Sequence, residues 1–252
     1  MQTQNKLDVG IMGPIAECAL FIGDEILITS VITRSLVSMT GIETLLNIGK
    51  KELKRHGKIR EIPKMDHLIS MAKSTAKQAI KLQQDDFNVI NIHCVIAIWG
   101  ALEACVENII TLVLMNDPEA INRLRQSGAT VRSILGALTE EDCFKIYKNL
   151  EREFRKSKSV AEAYVEMLGI FGINVDCDDG MATKMAEINE IRNALLHRAG
   201  RINQRSITNA PALEPYLNRK IAIGAAVCGK YQKVVLDFSR NILEGITASN
   251  YI

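Results

Sequence analysis

The sequence predicts an all-α protein, and three observations carry that expectation. Apolar residues recur at helical spacing over most of the chain from residue 66 onward. Helix-capping signatures precede several of those runs. No segment reads as a paired strand with turn residues on either side. The chain has 252 residues with a net charge of +2 and an apolar share of 47%. That length suffices for one large or two small domains. A near-neutral balance excludes a surface that attracts polyanions everywhere, so nucleic acid would need a local basic patch.

Taken in order, residues 1–45 are apolar with interspersed Gly10, Gly13, Pro14, Gly23 and Gly41, and helical pieces fit them better than strands. Residues 10–32 include Glu17, Asp24 and Glu25; residues 92–114 include Glu103 and Glu107. Carboxylates at that density are costly in a spanning helix. Both stretches are therefore expected to be buried segments of a soluble protein, with no membrane partner. Next comes "KKELKRHGKIREIPKMDH", where Lys50, Lys51, Lys54, Arg55, Lys58 and Arg60 face the single acid Glu52 up to Arg60. It reads either as a solvated helix end and linker or as a patch contacting RNA phosphates.

From Asp66 a clear helix begins, with Leu68, Met71, Ala76 and Ile80 on one stripe. A second is expected from Asp85 to Met115, stopped by Asn116–Asp117–Pro118. It is apolar nearly all round and so belongs at the centre of the core. One polar stripe crosses it at His93, Gly100, Glu103, Glu107 and Thr111. Thr139 with Asp142, and Ser159 with Glu162, mark two further helix starts. The acids Asp176, Asp178 and Asp179 lack the distal glutamate of a calcium loop and read as solvated. A helix then runs from about Met181 to Ala199 and stops at Gly200. A final helix covers about Gly224 to Gly245.

The six cysteines have neither C-x-x-C pairing nor a histidine at ligand spacing. No metal and no cofactor is expected, and a reducing, cytoplasmic setting follows from free thiols without a secretory leader.

The helix over 181–199 holds the main anomaly. Met181, Met185, Ile188, Ile191 and Leu195 make an apolar stripe, and Arg192 falls within it. At about 100° per residue, Asn193, His197 and Glu190 lie on the opposite side, with Arg192 and His197 about 140° apart. A guanidinium facing a core needs a carboxylate, and Glu103 or Glu107 is the expected partner. One regular helix cannot aim Arg192 and His197 at a single small ligand. Either the helix distorts, or two copies of the chain assemble the site.

"RNALLH", set in "EINEIRNALLHRAG", resembles the R-x(4–6)-H signature of the HEPN superfamily, in which a polar residue commonly follows the arginine. "WGALEACVEN" and "YQKVVLDFSRNILEGI" are similar to helices of its bundle. The resemblance covers residues 65–248; residues 1–60 form an N-terminal apolar and basic extension outside it. It implies a four-helix-bundle core, a homodimer with facing motifs, and metal-independent RNA cleavage by bacterial toxins or antiviral-defence effectors. A regulatory antitoxin is a further implied partner. Arg192 on the phosphate, His197 as general acid and base, and Asn193 would be the catalytic set, supported by Glu103 and Glu107. Other members bind RNA, nucleotides or proteins without cleavage, and that is the alternative. No P-loop supports nucleotide binding alone, since "GIMG" and "GIETLLNIGK" do not match one.

Overall fold

The computed structural model describes residues 10–128 and 138–251, and these are all-α. Ten α-helices are assigned: α1 (Met12–Met39), α2 (Ile42–Arg55), α3 (Ile62–Gln84), α4 (Asn88–Asn116), α5 (Ala120–Gln126), α6 (Glu140–Phe154), α7 (Val160–Ile170), α8 (Asp179–Arg198), α9 (Gln204–Asn209) and α10 (Ala225–Ala248). The only β pairing among the described residues is two isolated bridges, Arg201 with Lys220 and Ile202 with Leu217.

The expected helix starts reflect local hydrogen bonding. Thr139 accepts from the Asp142 amide while Asp142 reaches back to the Thr139 amide, and Ser159 and Glu162 repeat the exchange. Each box satisfies donors that the first helical turn leaves unpaired. Asp178, expected to be a solvated acid, instead caps α8, its Oδ1 2.6 Å from the Met181 amide. α3 and α4 are separated because Asp86 and Phe87 both take left-handed backbone angles, φ 48° and 54°. α8 ends as its sequence implies, with Ala199 at φ 50° and Gly200 at φ 79°.

The chain divides into two compact units. One unit holds residues up to Asp24, Val95–Ile221 and the chain from Gly229; the other holds Glu25–Cys94 and Ala222–Cys228. Residues 59–61 form a single 3-10 turn and residues 62–65 are already the first turn of α3; α2 and α3 pack together as a hairpin. The first nine residues of the expected N-terminal extension lie outside the described residues.

The larger unit is organised around α4 and α8. Trp99, Leu102, Val106, Ile109 and Val113 of α4 are fully buried, as are Ile188 and Ile191 of α8. The stripe of Glu103 and Glu107 does not face open solvent: it meets α8 through Arg192 and α6 through Lys148. α4 is long and apolar enough to cross a membrane by length and composition. α6 packs on α7, α7 on α8 and α8 on α9.

The smaller unit has a sparse core. Only Ala76 and Ala79 of α3 are buried, and α2 buries none of its residues. The segment before α10 is fastened to the α3–α4 corner by Asn91, whose side-chain amide donates to the Asp86 and Ile223 carbonyls at 2.9 Å each. Asn88 Oδ1 accepts from the Ile223 amide at 2.6 Å. Residues 10–32, expected to be buried, are so only at Ile11, Ile15, Cys18 and Ile22; Leu20, Phe21, Leu27, Ile28 and Val31 are exposed. The apolar residues of α1 are spread round the helix, so one face alone cannot bury them.

Candidate functional site

α8 carries the site, and its burial corrects the two-sided wheel. Every residue from Met185 to Ile191 is buried, including Glu187, Asn189 and Glu190. The side expected to face solvent is covered because its polar groups find partners. Glu187 pairs with Lys184 and accepts from the Tyr231 hydroxyl at 3.2 Å. Asn189 accepts from Arg155 at 3.1 Å. Glu190 accepts from Asn209 Nδ2 at 2.7 Å and lies 3.5 Å from Arg198. Most buried polar groups in folded proteins are satisfied in this way. The only local signal for α9, which supplies Asn209, is its N-cap Asn203, whose side chain accepts from the Ser206 amide; six residues are too few for a helical period to show.

Arg192 is half-buried, not enclosed in the core. Its Nη2 lies 2.8 Å from Glu103 Oε2, with side-chain exposures of 28% and 20%. Its Nη1 donates to Asn193 Oδ1 at 3.1 Å. Glu107, the other expected support, turns to Lys148 at 2.9 Å. Burial raises the carboxyl pKa of Glu103 above its ordinary value, with the Arg192 charge only partly offsetting that effect.

Beside α8 lies a cleft of about 650 Å³. Its floor is one face of the helix, Asn189, Asn193 and His197 at successive four-residue steps, joined by Glu190 and Arg198. One wall is the α6–α7 connection, with Arg155, Lys156 and Lys158. Another part of the lining is α9, with Arg205, Thr208 and Asn209. Five Lys or Arg and one histidine therefore surround a single carboxylate. Arg155 is held by Glu151 at 3.2 Å, Lys158 pairs with Glu166, and Arg198 donates to Ser206 Oγ at 2.9 Å. Lys156 and Arg205 have no side-chain partner among the described residues.

The cleft thus brings Asn193 and His197 together and leaves Arg192 out of its lining. α8 stays helical through Arg198, so the angular separation expected between Arg192 and His197 is retained. His197 is exposed at the cleft, in the last turn of α8. The basic walls were missed at the sequence level. Arg155, Lys156 and Lys158 fall between the two expected helix starts and carry no local signal, and only the fold brings them to one cleft with Arg205.

The basic run at residues 50–60 belongs to the smaller unit. Lys50 pairs with Asp66, and Arg55 lies 2.6 Å from Glu52. Lys51, Lys54, Lys58 and Arg60 are exposed and without an acidic partner among the described residues.

Thiol chemistry has little support in the larger unit. Cys177, its least buried thiol among the described residues, is pushed up to about 11 by burial and by Asp178 and Asp176. At neutral pH it is protonated and a poor nucleophile. No three His, Cys, Asp or Glu among the described residues are grouped so as to hold a metal ion. No family model matches the sequence, and no curated protein or solved structure matches it.

Proposed function

We propose that the protein is a metal-independent endoribonuclease of the HEPN type, a toxin or antiviral-defence effector, with His197 as the acid–base residue. The observation that carries the reading is the exposed His197 beside Asn193 in a cleft walled by Arg155, Lys156, Lys158, Arg198 and Arg205. A neutral imidazole takes the proton of a ribose 2′-hydroxyl near physiological pH. The 2′-oxygen attacks the adjacent phosphorus, the bond to the 5′-oxygen breaks, and that oxygen takes the proton held on the His197 imidazolium. A 2′,3′-cyclic phosphate and a free 5′-hydroxyl result. Charge on the phosphorane is met by the guanidinium groups of the walls. Arg192 supports this arrangement through Asn193 and does not itself grip the phosphate. The four-helix core and the facing homodimer implied by the resemblance are part of the same proposal.

One observation favours a second reading. Arg192 is engaged by Glu103 and does not line the cleft, which suits an HEPN-like module that binds RNA without cutting it.

The test is cleavage of end-labelled mixed-sequence RNA in excess EDTA, with His197→Ala alongside. Cleavage by wild type to cyclic-phosphate ends, lost in the variant at unchanged melting temperature, supports the nuclease. Cleavage that survives the substitution overturns it. RNA binding by both proteins without cleavage supports the second reading.

A further inference from the structure

Glu190 is the chemical oddity of the cleft. It is 5% exposed, yet it lines a cavity whose other charged groups are all basic. A carboxylate repels a phosphate ligand, and anchoring Arg198 and Asn209 uses only part of its acceptor capacity. A carboxylate offers about four acceptor positions. Asn209 Nδ2 fills one at 2.7 Å and Arg198, at 3.5 Å, occupies a second. The remaining positions want a hydroxyl or N–H donor from whatever enters. No Phe, Tyr or Trp lines the cleft, so it lacks the large stacking surface that single-stranded binders use for bases.

We propose that Glu190 reads a ribose 2′-hydroxyl and that the cleft selects single-stranded RNA over DNA through its sugar–phosphate backbone. This rests on the RNA reading above. Lys156 and Arg205, the cleft cations without a side-chain partner among the described residues, take the phosphates flanking that ribose. Seven residues at about 1.5 Å each separate Glu190 from His197 by about 10 Å along α8. The two groups therefore meet different nucleotides: His197 the reacting one, Glu190 a neighbour. Acidic side chains serve the same purpose in dinucleotide sites, where they hold a ribose hydroxyl next to phosphate-binding amides. Glu190 is thus a specificity-determining residue, not an acid or base of the reaction.

The experiment measures binding by the full-length His197→Ala protein, so that strands stay intact. Fluorescently labelled single strands of one sequence are compared as RNA, DNA, 2′-fluoro RNA and 2′-O-methyl RNA. RNA should bind about tenfold more tightly than each of the other three, since each lacks the donor that a charged acceptor rewards. Glu190→Gln, which preserves shape, should bring RNA and DNA to within about twofold. Arg205→Glu should weaken all four strands together and leave the RNA preference in place. Equal binding of RNA and DNA by the parent protein overturns the role of Glu190 while leaving the nucleic-acid reading standing. A preference that persists in Glu190→Gln overturns it too. Absence of binding to any strand overturns both. Because the sugar comparison uses one protein, misfolding of a variant cannot imitate its result.

Discussion

The side chains of Arg192 and Asn193 are hydrogen-bonded to each other, Nη1 to Oδ1 at 3.1 Å, while Nη2 of the same arginine holds Glu103 at 2.8 Å. The amide oxygen of Asn193 is thereby occupied, and its NH2 group is the one left to donate into the cleft. A chain of three side chains connects α4 to the floor of the site. Arg192→Ala should lower cleavage and also destabilise the fold by roughly 1–3 kcal/mol, because Glu103 and Asn193 lose their partner together. Arg192→Lys keeps the charge but cannot span both acceptors with a rigid fork, so it should recover stability better than activity. Urea unfolding alongside cleavage rates checks this. An Arg192→Ala protein with full stability and full activity would remove the arginine from the account.

The pH dependence of stability should carry the mark of Glu103. Its folded pKa is raised above the ordinary glutamate value of about 4.3, so the folded state binds its proton more readily than the unfolded chain. The contribution is present below the unfolded value and is lost as pH rises through the folded one. Glu162 works in the opposite sense, its pKa lowered by the Ser159 backbone and side-chain hydrogen bonds. Its contribution is present above the ordinary value and is lost as pH falls through the lowered one. Melting temperatures of wild type and Glu103→Gln, compared from neutral pH down to about 4.5, should show wild type gaining on the variant as the solution is acidified. A constant difference would mean that Glu103 does not titrate in that range.

Much of the fold was legible because it is written in local signals. Thr139 with Asp142 and Ser159 with Glu162 marked two helix starts to the residue. Gly200, in a left-handed conformation, marked the end of α8. These signals operate within one turn and need no tertiary partner. The site was less legible for the opposite reason. Asn189, Asn193 and His197 follow from helical spacing, but Arg155, Lys156 and Arg205 reach them across a fold that no local pattern encodes. The wheel also assumed that polar means exposed. Glu187 and Glu190 break that rule because Tyr231, Lys184, Asn209 and Arg198 satisfy them in the interior.

The unpaired cations of the smaller unit separate a phosphate-contacting patch from a solvated helix end. Reversing Lys51, Lys54, Lys58 and Arg60 to Glu removes charges that no acidic side chain neutralises among the described residues. If they bind RNA, the slope of log affinity against log salt should fall by about 0.7 for each single-strand phosphate that the reversed side chains cease to neutralise. An unchanged slope would leave the segment a solvated helix end and linker.

Gly245 tests the packing of α10. The sequence suggested a helix stop there, but the helix continues to Ala248, so the glycine has another use. A Cβ at this position would lie 2.4 Å from the carbonyl oxygen of Asn174 and 3.3 Å from Ile173 Cγ2. The nearer obstacle is backbone and cannot rotate away. Gly245→Ala therefore has two opposed effects. Alanine favours an ordinary helix interior by about 0.8–1.0 kcal/mol over glycine. The overlap forces α10 or the residue 173–174 segment to shift, at a cost of about 1–3 kcal/mol. The clash should win, giving a net loss of stability in urea unfolding. Gly229, with open space around its position in the same helix, supplies the control: Gly229→Ala should stabilise by the propensity difference alone. Equal gains from both substitutions would show that α10 does not approach Asn174 so closely.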